Sequence, residues 1–535
     1  MSILAALWLL VGVASAVGVA RRSAGVAGRW GILVVIGLLA LGIRIYPTGF
    51  YGLEYEDAYV YAAAAKFADV APNTALASSL TVTVCAVGSL EACAESEGYP
   101  GHLNGYPALL RAVTAVLGHD PVIYPAISAG LGALTALCLW WATLALTGSM
   151  SAGVGAALLF ATTPALALYG GAAVSETASG LALAAWCGAC AEVTRTRSDK
   201  PSIRWAIVAF AVAILAALTR REDAVCLPLT ALCVSYAHWP SLTQRVKVAL
   251  VATSIAVALP VALLGVRSVA SELGEYGEFS FSVSRLLSTT PTLLAALARP
   301  SYFGALLWVS LAGVAVVVTR MWLRIWSPAD VFVCSLAVAL VAWGLSYGAH
   351  VRSAYQLAGG AVAPFEFVRY LSNMGVPLCV IAGVAIESAR GRSPRWMLAA
   401  LSLGLLTSGV GAWTLRRELA NVEMAVRTEP ARAAIRAAAE LGASVPIVTL
   451  EAYVAQLQGA PSTVVVSLRS LTESRLTEMG EAVVYLEQDA YQNDVDKKRY
   501  AVGFAALPTR KQVLRQGAGW RVWLLHNSAS RTHPR

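Results

Sequence analysis

Charge is what this sequence has least of. Only 13% of its 535 residues are Asp, Glu, Lys or Arg, while 57% are hydrophobic. Soluble domains carry roughly a quarter charged residues. From Pro121 through Ser175 none of the four charged types occurs. That run holds two helices of ~20 residues, each enough to cross ~30 Å of hydrocarbon, with Gly148 and Ser149 marking the turn. A string of soluble domains is excluded, as are collagenous, disordered and disulfide-scaffold proteins. Histidine is scarce too, at six residues, and no His/Cys/carboxylate set has zinc spacing. No Gly-rich phosphate loop follows a strand, which argues against a nucleotide-binding site. What remains is a polytopic helical membrane protein.

The net charge of +9 does not point to nucleic acid, because the basic residues stand in short clusters between apolar runs. Candidate spans lie near 3–20, 31–47, 121–146, 151–168, 176–193, 204–219, 224–239, 247–266, 303–319, 330–347, 371–387 and 397–413, about twelve in all. Five basic clusters are Arg21/Arg22/Arg29, Arg195/Arg197/Lys200/Arg204, Arg245/Lys247, Arg320/Arg324 and Arg390/Arg392/Arg395. Simple alternation of the spans puts all five on one face, which the positive-inside rule makes cytoplasmic. No positive charge precedes the first apolar run and two Arg follow it, so it reads as a retained helix with its N-terminus outside.

The opposite face receives the 48–120 loop, the 267–302 loop and the tail after Trp413. Short turns fall there at Val174–Thr177, Arg220–Asp223 and His350–Arg369. The membrane domain is therefore 1–413, including the first external loop, and 414–535 is an external (periplasmic) α/β domain. In that tail, helical periodicity over Ala431–Leu441 precedes short apolar strands at Ile447–Leu450, Val464–Val466, Val483–Leu486 and Val522–Leu525. The chain is expected in the inner (plasma) membrane. Seven cysteines (Cys138, Cys187, Cys190, Cys226, Cys233, Cys334 and Cys379) sit in spans and read as small buried side chains. Cys85 and Cys93 share the first external loop and are a candidate disulfide.

The first external loop opens with Glu54, Glu56 and Asp57, three carboxylates in four positions directly after a span, then an Ala-rich helix through Ala62–Ala65. Carboxylates this close, partly desolvated at a membrane boundary, push at least one pKa upward, as a general base requires. An acidic helix start favoured by the helix dipole is the other reading of the same residues.

Glu56-Asp57-Ala58-Tyr59 and the alanines after it resemble the first external loop of the GT-C superfamily of membrane glycosyltransferases. Gly105-Tyr106-Pro107 resembles that family's entry into its next span. Ser175-Glu176-Thr177 resembles its Ser-Glu position, and Leu218-Thr219-Arg220-Arg221-Glu222 its Leu-Thr-Arg-x-Glu turn. Phe367-Val368-Arg369-Tyr370 resembles its late Arg-Tyr helix. The five segments occur in the family's order, and the charge pattern places all of them on the external face. The resemblance is greatest to the branch of bacterial protein O-mannosyltransferases and aminoarabinose transferases. In many members the first acid of the pair is Asp; here it is Glu56, so the base is either Glu56 or Asp57.

The resemblance implies sugar transfer from a polyprenyl-phosphate donor to a glycan, lipid or protein acceptor, with membrane lipid around the site. Glu56 and Asp57 are the candidate catalytic pair. Departing phosphate needs cationic donors, for which guanidinium is suited by its paired N–H groups. Arg220, Arg221 and Arg369 are the candidates, with His350 and Arg352 behind them. Glu54, Tyr59, Glu176, Glu222 and Tyr370 complete the candidate binding set. For Arg220 and Arg221 the alternatives are snorkelling at a helix end or bridging Glu222 and Asp223. For Glu176 they are orienting the acceptor, pairing an Arg, or capping its helix. No cofactor or resident metal is expected, although Mg or Mn on the acidic pair stays open. The rival classes are a transporter or flippase of lipid-linked glycans, which would carry its charges mid-span, and a glycan ligase or polymerase.

Overall fold

The computed structural model describes residues 3–24, 27–45, 58, 61–62, 65, 79–80, 99–100, 105–118, 120, 122–170, 173–195, 201–237, 283–325, 327–349, 371–390, 410, 428–442, 445–450, 465–468, 471, 473–479, 482–489, 501–508 and 511–526. The chain divides into two units. One comprises 1–49, 103–113 and 125–417, and the other 50–102, 114–124 and 418–535.

The first unit is helical. Its elements are α1 (Ile3–Ser23), α2 (Ala27–Ile45), the start of α3 (Gly105–Leu117), α4 (Ile123–Thr147), α5 (Met150–Thr162), α6 (Pro164–Tyr169), α7 (Ser175–Arg195), α8 (Pro201–Thr219) and α9 (Cys226–Ala237). They continue with α10 (Val283–Ala298), α11 (Leu306–Trp322), α12 (Pro328–Ala349) and α13 (Gly375–Arg390). Among the described residues, four helical stretches are long and apolar enough to cross a membrane: Ile3–Ser23, Gly28–Ile45, Ile123–Thr147 and Ser372–Ala389. Four shorter apolar helices, Met150–Thr162, Ile203–Thr219, Leu306–Trp322 and Ala329–Gly344, fall on further expected spans, and two more, Gly105–Leu117 and Leu286–Ala298, lie in segments expected to be external. The expected spans 247–266 and 397–413 lie outside the described residues apart from Val410.

Two departures from the expected spans have local causes. The stretch 151–168 is two helices, because Pro164 has no N–H and pushes Thr163 into extended backbone (φ −65°, ψ 121°). The expected external segments also contain helices, α3 and α10. α3 buries Tyr106 and Leu110 while Val116 and Leu117 are exposed, and α10 exposes Val283, Leu287 and Leu294 while burying Leu293 and Leu297. Such one-sided helices are too short or too mixed to register as spans.

α7 is the centre of the bundle, with every residue from Ser175 to Thr194 buried. It packs on α8, α9, α12 and α13. Trp141 of α4 wedges against it at Gly188, where a Cβ would fall 2.5 Å from the indole ring. A small residue there lets the two backbones close around the ring. The seven cysteines of the spans are free thiols, six buried and Cys334 half-buried, as their apolar surroundings predict.

The second unit contains β1 (Ser79–Leu80) paired antiparallel with β2 (Tyr99–Pro100), and the tail domain. Ala58, Tyr61, Ala62 and Ala65 are helical and buried, the spacing of one helix face. Tyr124 donates its hydroxyl to the Ala62 carbonyl at 3.4 Å. The tail has α14 (Glu429–Leu441), β3 (Ile447–Thr449), β4 (Val465–Ser467), α15 (Glu473–Glu478), β5 (Ala482–Gln488), α16 (Ala501–Ala506), β6 (Lys511–Gly517) and β7 (Trp520–His526). The sheet order is β4-β3-β5-β7-β6. β3 is parallel to both β4 and β5, while β7 runs antiparallel to β5 and β6. Val448, Leu468, Val483, Tyr485 and Leu525 form its core, and α14 packs through Ala431, Ala434 and Ala438. The four expected strands are present. The fifth, β6, reads Lys-Gln-Val-Leu-Arg-Gln-Gly and is an exposed edge, where polar residues replace the apolar signal.

Candidate active site

At one end of the bundle the start of α7 and the end of α8 meet in a buried ionic cluster. Arg220 leaves α8 with extended backbone (φ −143°, ψ 130°), and Arg221–Val225 then form a tight 3-10 turn into α9. Arg220 is only 7% exposed. Its Nη1 lies 2.5 Å from Oε1 of Glu176, in the first turn of α7. Its Nε donates to Oε1 of Glu222 at 2.9 Å, and Nη2 reaches the same oxygen. Burying a guanidinium costs several kcal/mol unless its charge and N–H groups are matched, and the two carboxylates supply the match. Of the alternatives for these residues, the structure shows Arg220 bridging Glu222 and Glu176, not snorkelling and not paired to Asp223.

Asp223 sits beside this cluster, fully buried. Ser179 of α7 donates its hydroxyl to Oδ2, and Asn373, in the 3-10 turn Ser372–Met374, donates its amide to Oδ1 at 3.2 Å. Burial pushes the Asp223 carboxyl up to about 8; Glu222 adds to the rise, while Arg220, Ser179 and Asn373 oppose it. Trp343 of α12 completes the frame, its indole N–H donating to the Glu222 carbonyl at 2.9 Å. One five-residue turn is thus held from α7, α12 and the 372–374 segment.

Two of the segments that resemble the GT-C family touch directly. A Cβ on Gly105 would lie 2.5 Å from Thr219 Oγ1, 2.8 Å from the Leu218 carbonyl oxygen and 2.9 Å from Thr219 Cα. Only glycine permits that approach. The Gly105 carbonyl in turn accepts from the Trp8 indole at 2.8 Å.

A second ionic cluster occupies the far end of α7. Glu192 is buried and accepts from Arg22 at 2.5 Å and 2.8 Å and from the Trp141 indole at 3.2 Å. Glu176 and Glu192 are sixteen residues apart, or about 24 Å at 1.5 Å per residue. The charges of α7 therefore lie at its two ends with an apolar stretch of near-membrane thickness between them. Arg22 belongs to the face expected to be cytoplasmic and Arg220 to the opposite one. Arg320 pairs with Asp330 at 3.2 Å, again among residues assigned to the cytoplasmic face.

Glu54, Glu56, Asp57, Tyr59, His350, Arg352, Arg369, Tyr370, Cys85 and Cys93 lie outside the described residues, as does the side chain of Arg221. Of the expected site residues, the structure brings together Glu176, Arg220 and Glu222. Sequence reasoning missed Asp223 as more than a partner for Arg, and missed Ser179 and Asn373 entirely; uncharged Ser and Asn give no signal in an apolar chain. It also missed Arg44, fully buried near the end of α2, which donates to the carbonyls of Ala40 (2.9 Å) and Leu166 (3.2 Å) and stacks over Phe160 at 5.0 Å. A lone charge within a span was the available cue. Among the described residues no group of three or more His, Cys, Asp or Glu is placed to hold a metal ion.

No protein-family model and no curated protein matches the sequence. Solved structures do. ArnT from Cupriavidus metallidurans bound to undecaprenyl phosphate aligns with TM-score 0.56 at 12% identity, over 96% of this chain and 100% of that one. The same protein in its apo state aligns with TM-score 0.54 at 12% identity, over 95% and 100%. The Archaeoglobus fulgidus oligosaccharyltransferase tethered with an acceptor peptide aligns with TM-score 0.51 at 11% identity, over 96% and 75%. The chain shares the overall fold of these solved structures. At these identities the likeness establishes architecture, and the chemistry rests on this chain's own residues.

Proposed function

We propose that this protein is a membrane glycosyltransferase that moves a sugar from a polyprenyl-phosphate carrier to an acceptor hydroxyl at the external face of the inner membrane. The observation that carries the reading is the buried Glu176–Arg220–Glu222 cluster at one end of a GT-C bundle. Charges kept at the bundle end suit transfer at a membrane surface better than passage through it, since transporters keep theirs near the midplane.

In this reading Glu56 or Asp57 takes the proton of the acceptor hydroxyl as its oxygen attacks the anomeric carbon. The bond from that carbon to the phosphate oxygen breaks, and polyprenyl phosphate leaves with the electron pair. Its growing negative charge falls to guanidinium groups in a dry site. Arg220 already places three N–H positions on carboxylates, so the larger share falls to Arg221 and Arg369, with His350 and Arg352 supporting them. Glu54, Tyr59 and Tyr370 line the donor and acceptor. A monophosphate leaving group is manageable by Arg alone, and any Mg or Mn belongs to the acidic pair.

The test uses membranes containing the protein, a labelled polyprenyl-phosphate sugar and an acceptor extract. Glu56→Gln/Asp57→Asn is expected to lower transfer by ~10²-fold or more while the protein stays folded. Undiminished transfer by that variant removes the acidic pair from the mechanism.

A further inference from the structure

The cluster contains one ionisable group that the proposed chemistry does not use. The hydrogen bonds of Asp223 go sideways from the Arg220 bridge, to Ser179 on α7 and to Asn373. A buried carboxyl is costly unless its hydrogen bonds are met, and those of Asp223 are met by two different segments. Here the arrangement is a junction. Arg220, Arg221 and Glu222 directly precede Asp223, and Asn373 opens onto α13 four residues after Arg369 in the chain. The Arg220–Glu176 pair and the Trp343 bond to the Glu222 carbonyl hold the start of the turn, but neither ties it to the 372–374 segment. The two directed hydrogen bonds of Asp223 supply that tie, joining the turn to Ser179 on one side and to Asn373 on the other.

We propose that Asp223 is a positioning residue, which through Ser179 and Asn373 fixes the 220–225 turn against α7 and the 372–374 turn and so sets the guanidinium groups that receive the lipid phosphate. The proposal rests on the transferase reading above. Asp223 does not touch the donor; its effect reaches the phosphate through the turn. Asparagine at this position retains the shape and one acceptor and is able to hold both partners, with Ser179 supplying either side of its bond. Leucine retains the volume and none of the bonds.

The experiment titrates the purified full-length protein with polyprenyl phosphate carrying no sugar, with thermal unfolding measured alongside. Asp223→Leu and Asn373→Leu are each expected to weaken binding about tenfold. Their double variant is expected to be no weaker than the worse single, because one bond is lost only once. Asp223→Asn is expected to stay within about threefold of the unmodified protein, a rescue that general loss of stability would not produce. If Asp223→Leu does not fold, Asn373→Leu and Asp223→Asn carry the comparison. Unchanged binding in Asn373→Leu, or additive losses in the double variant, overturns the positioning role alone. Absence of polyprenyl phosphate binding by the unmodified protein overturns the transferase reading and this proposal with it.

Discussion

Glu176 and Arg220 are 44 residues apart in the chain and 2.5 Å apart in space, joining the first turn of α7 to the residue that follows α8. Both side chains are almost wholly buried. Removing Glu176 takes away one of the two carboxylates that match the buried Arg220 charge. Glu176→Gln is expected to destabilise the protein by on the order of 3 kcal/mol and to reduce transfer severely. Glu176→Gln combined with Arg220→Gln is expected to recover part of the stability and none of the transfer. Thermal unfolding and donor-dependent transfer on the same three preparations check this, and full activity in the double variant would show the bridge to be purely structural.

The corresponding pair at the other end of α7 is the control. Glu192→Gln breaks the bond to Arg22 and weakens that to Trp141. It is expected to lower the unfolding temperature while leaving transfer per folded molecule unchanged, since about 24 Å of helix separates it from Glu176. A specific loss of turnover in folded protein would contradict the division of α7 into a reactive and a structural end.

Gly105→Val should fail for a steric reason. Its branched side chain would meet the Leu218 carbonyl and the Thr219 backbone, already 2.8 Å and 2.9 Å from a bare Cβ. Overpacking of this kind costs about 1–3 kcal/mol, and the displaced element carries Arg220. The expected signature is a rise in KM for the lipid donor together with a lower unfolding temperature. Gly118→Ala, where nothing lies within 4 Å but φ is +87°, separates backbone strain from collision, because it strains the chain without moving Thr219.

Asp223 makes stability depend on pH. Its carboxyl is raised from 3.8 to about 8, so the folded state keeps a proton that the unfolded chain releases. The stabilisation from that proton is complete below the unfolded value and is lost as pH rises through about 8. The described charged or titratable groups around it are Glu222 and Arg220 on its own turn, Cys226 at the start of α9, and Glu176 through Arg220; α12 and the 372–374 turn present the neutral Trp343 and Asn373. The unfolding temperature of the unmodified protein is expected to fall relative to Asp223→Asn between pH 5 and 9. A difference that stays flat over that range would show that Asp223 is ionised throughout.

Much of the architecture is legible from patterning because lipid is an unforgiving solvent for charge. The uncharged run Pro121–Ser175 had to be helical, and α4 to α6 occupy it; Pro164 divides it where an imino acid must. In the tail, apolar runs at Val483–Leu486 and Val522–Leu525 became β5 and β7, whereas the polar edge β6 carried no comparable signal. In the candidate site Glu176, Arg220 and Glu222 were legible as charges at span ends. Their pairing was not, because Glu222 and Asp223 are adjacent and only the 3-10 turn decides which of them faces Arg220.

The sequence by itself determined that this chain is a polytopic helical membrane protein, which end of each helix carries charge, and which few residues are chemically capable. Those follow from the cost of placing charge in hydrocarbon, a property of each residue and its neighbours along the chain. Only the tertiary structure decided that Arg220 is shared by Glu176 and Glu222, that Gly105 meets Thr219, and that neutral Ser179 and Asn373 hold Asp223. Hydrogen bonds between distant segments depend on how helices are brought together, and composition and periodicity along one chain do not encode that directly.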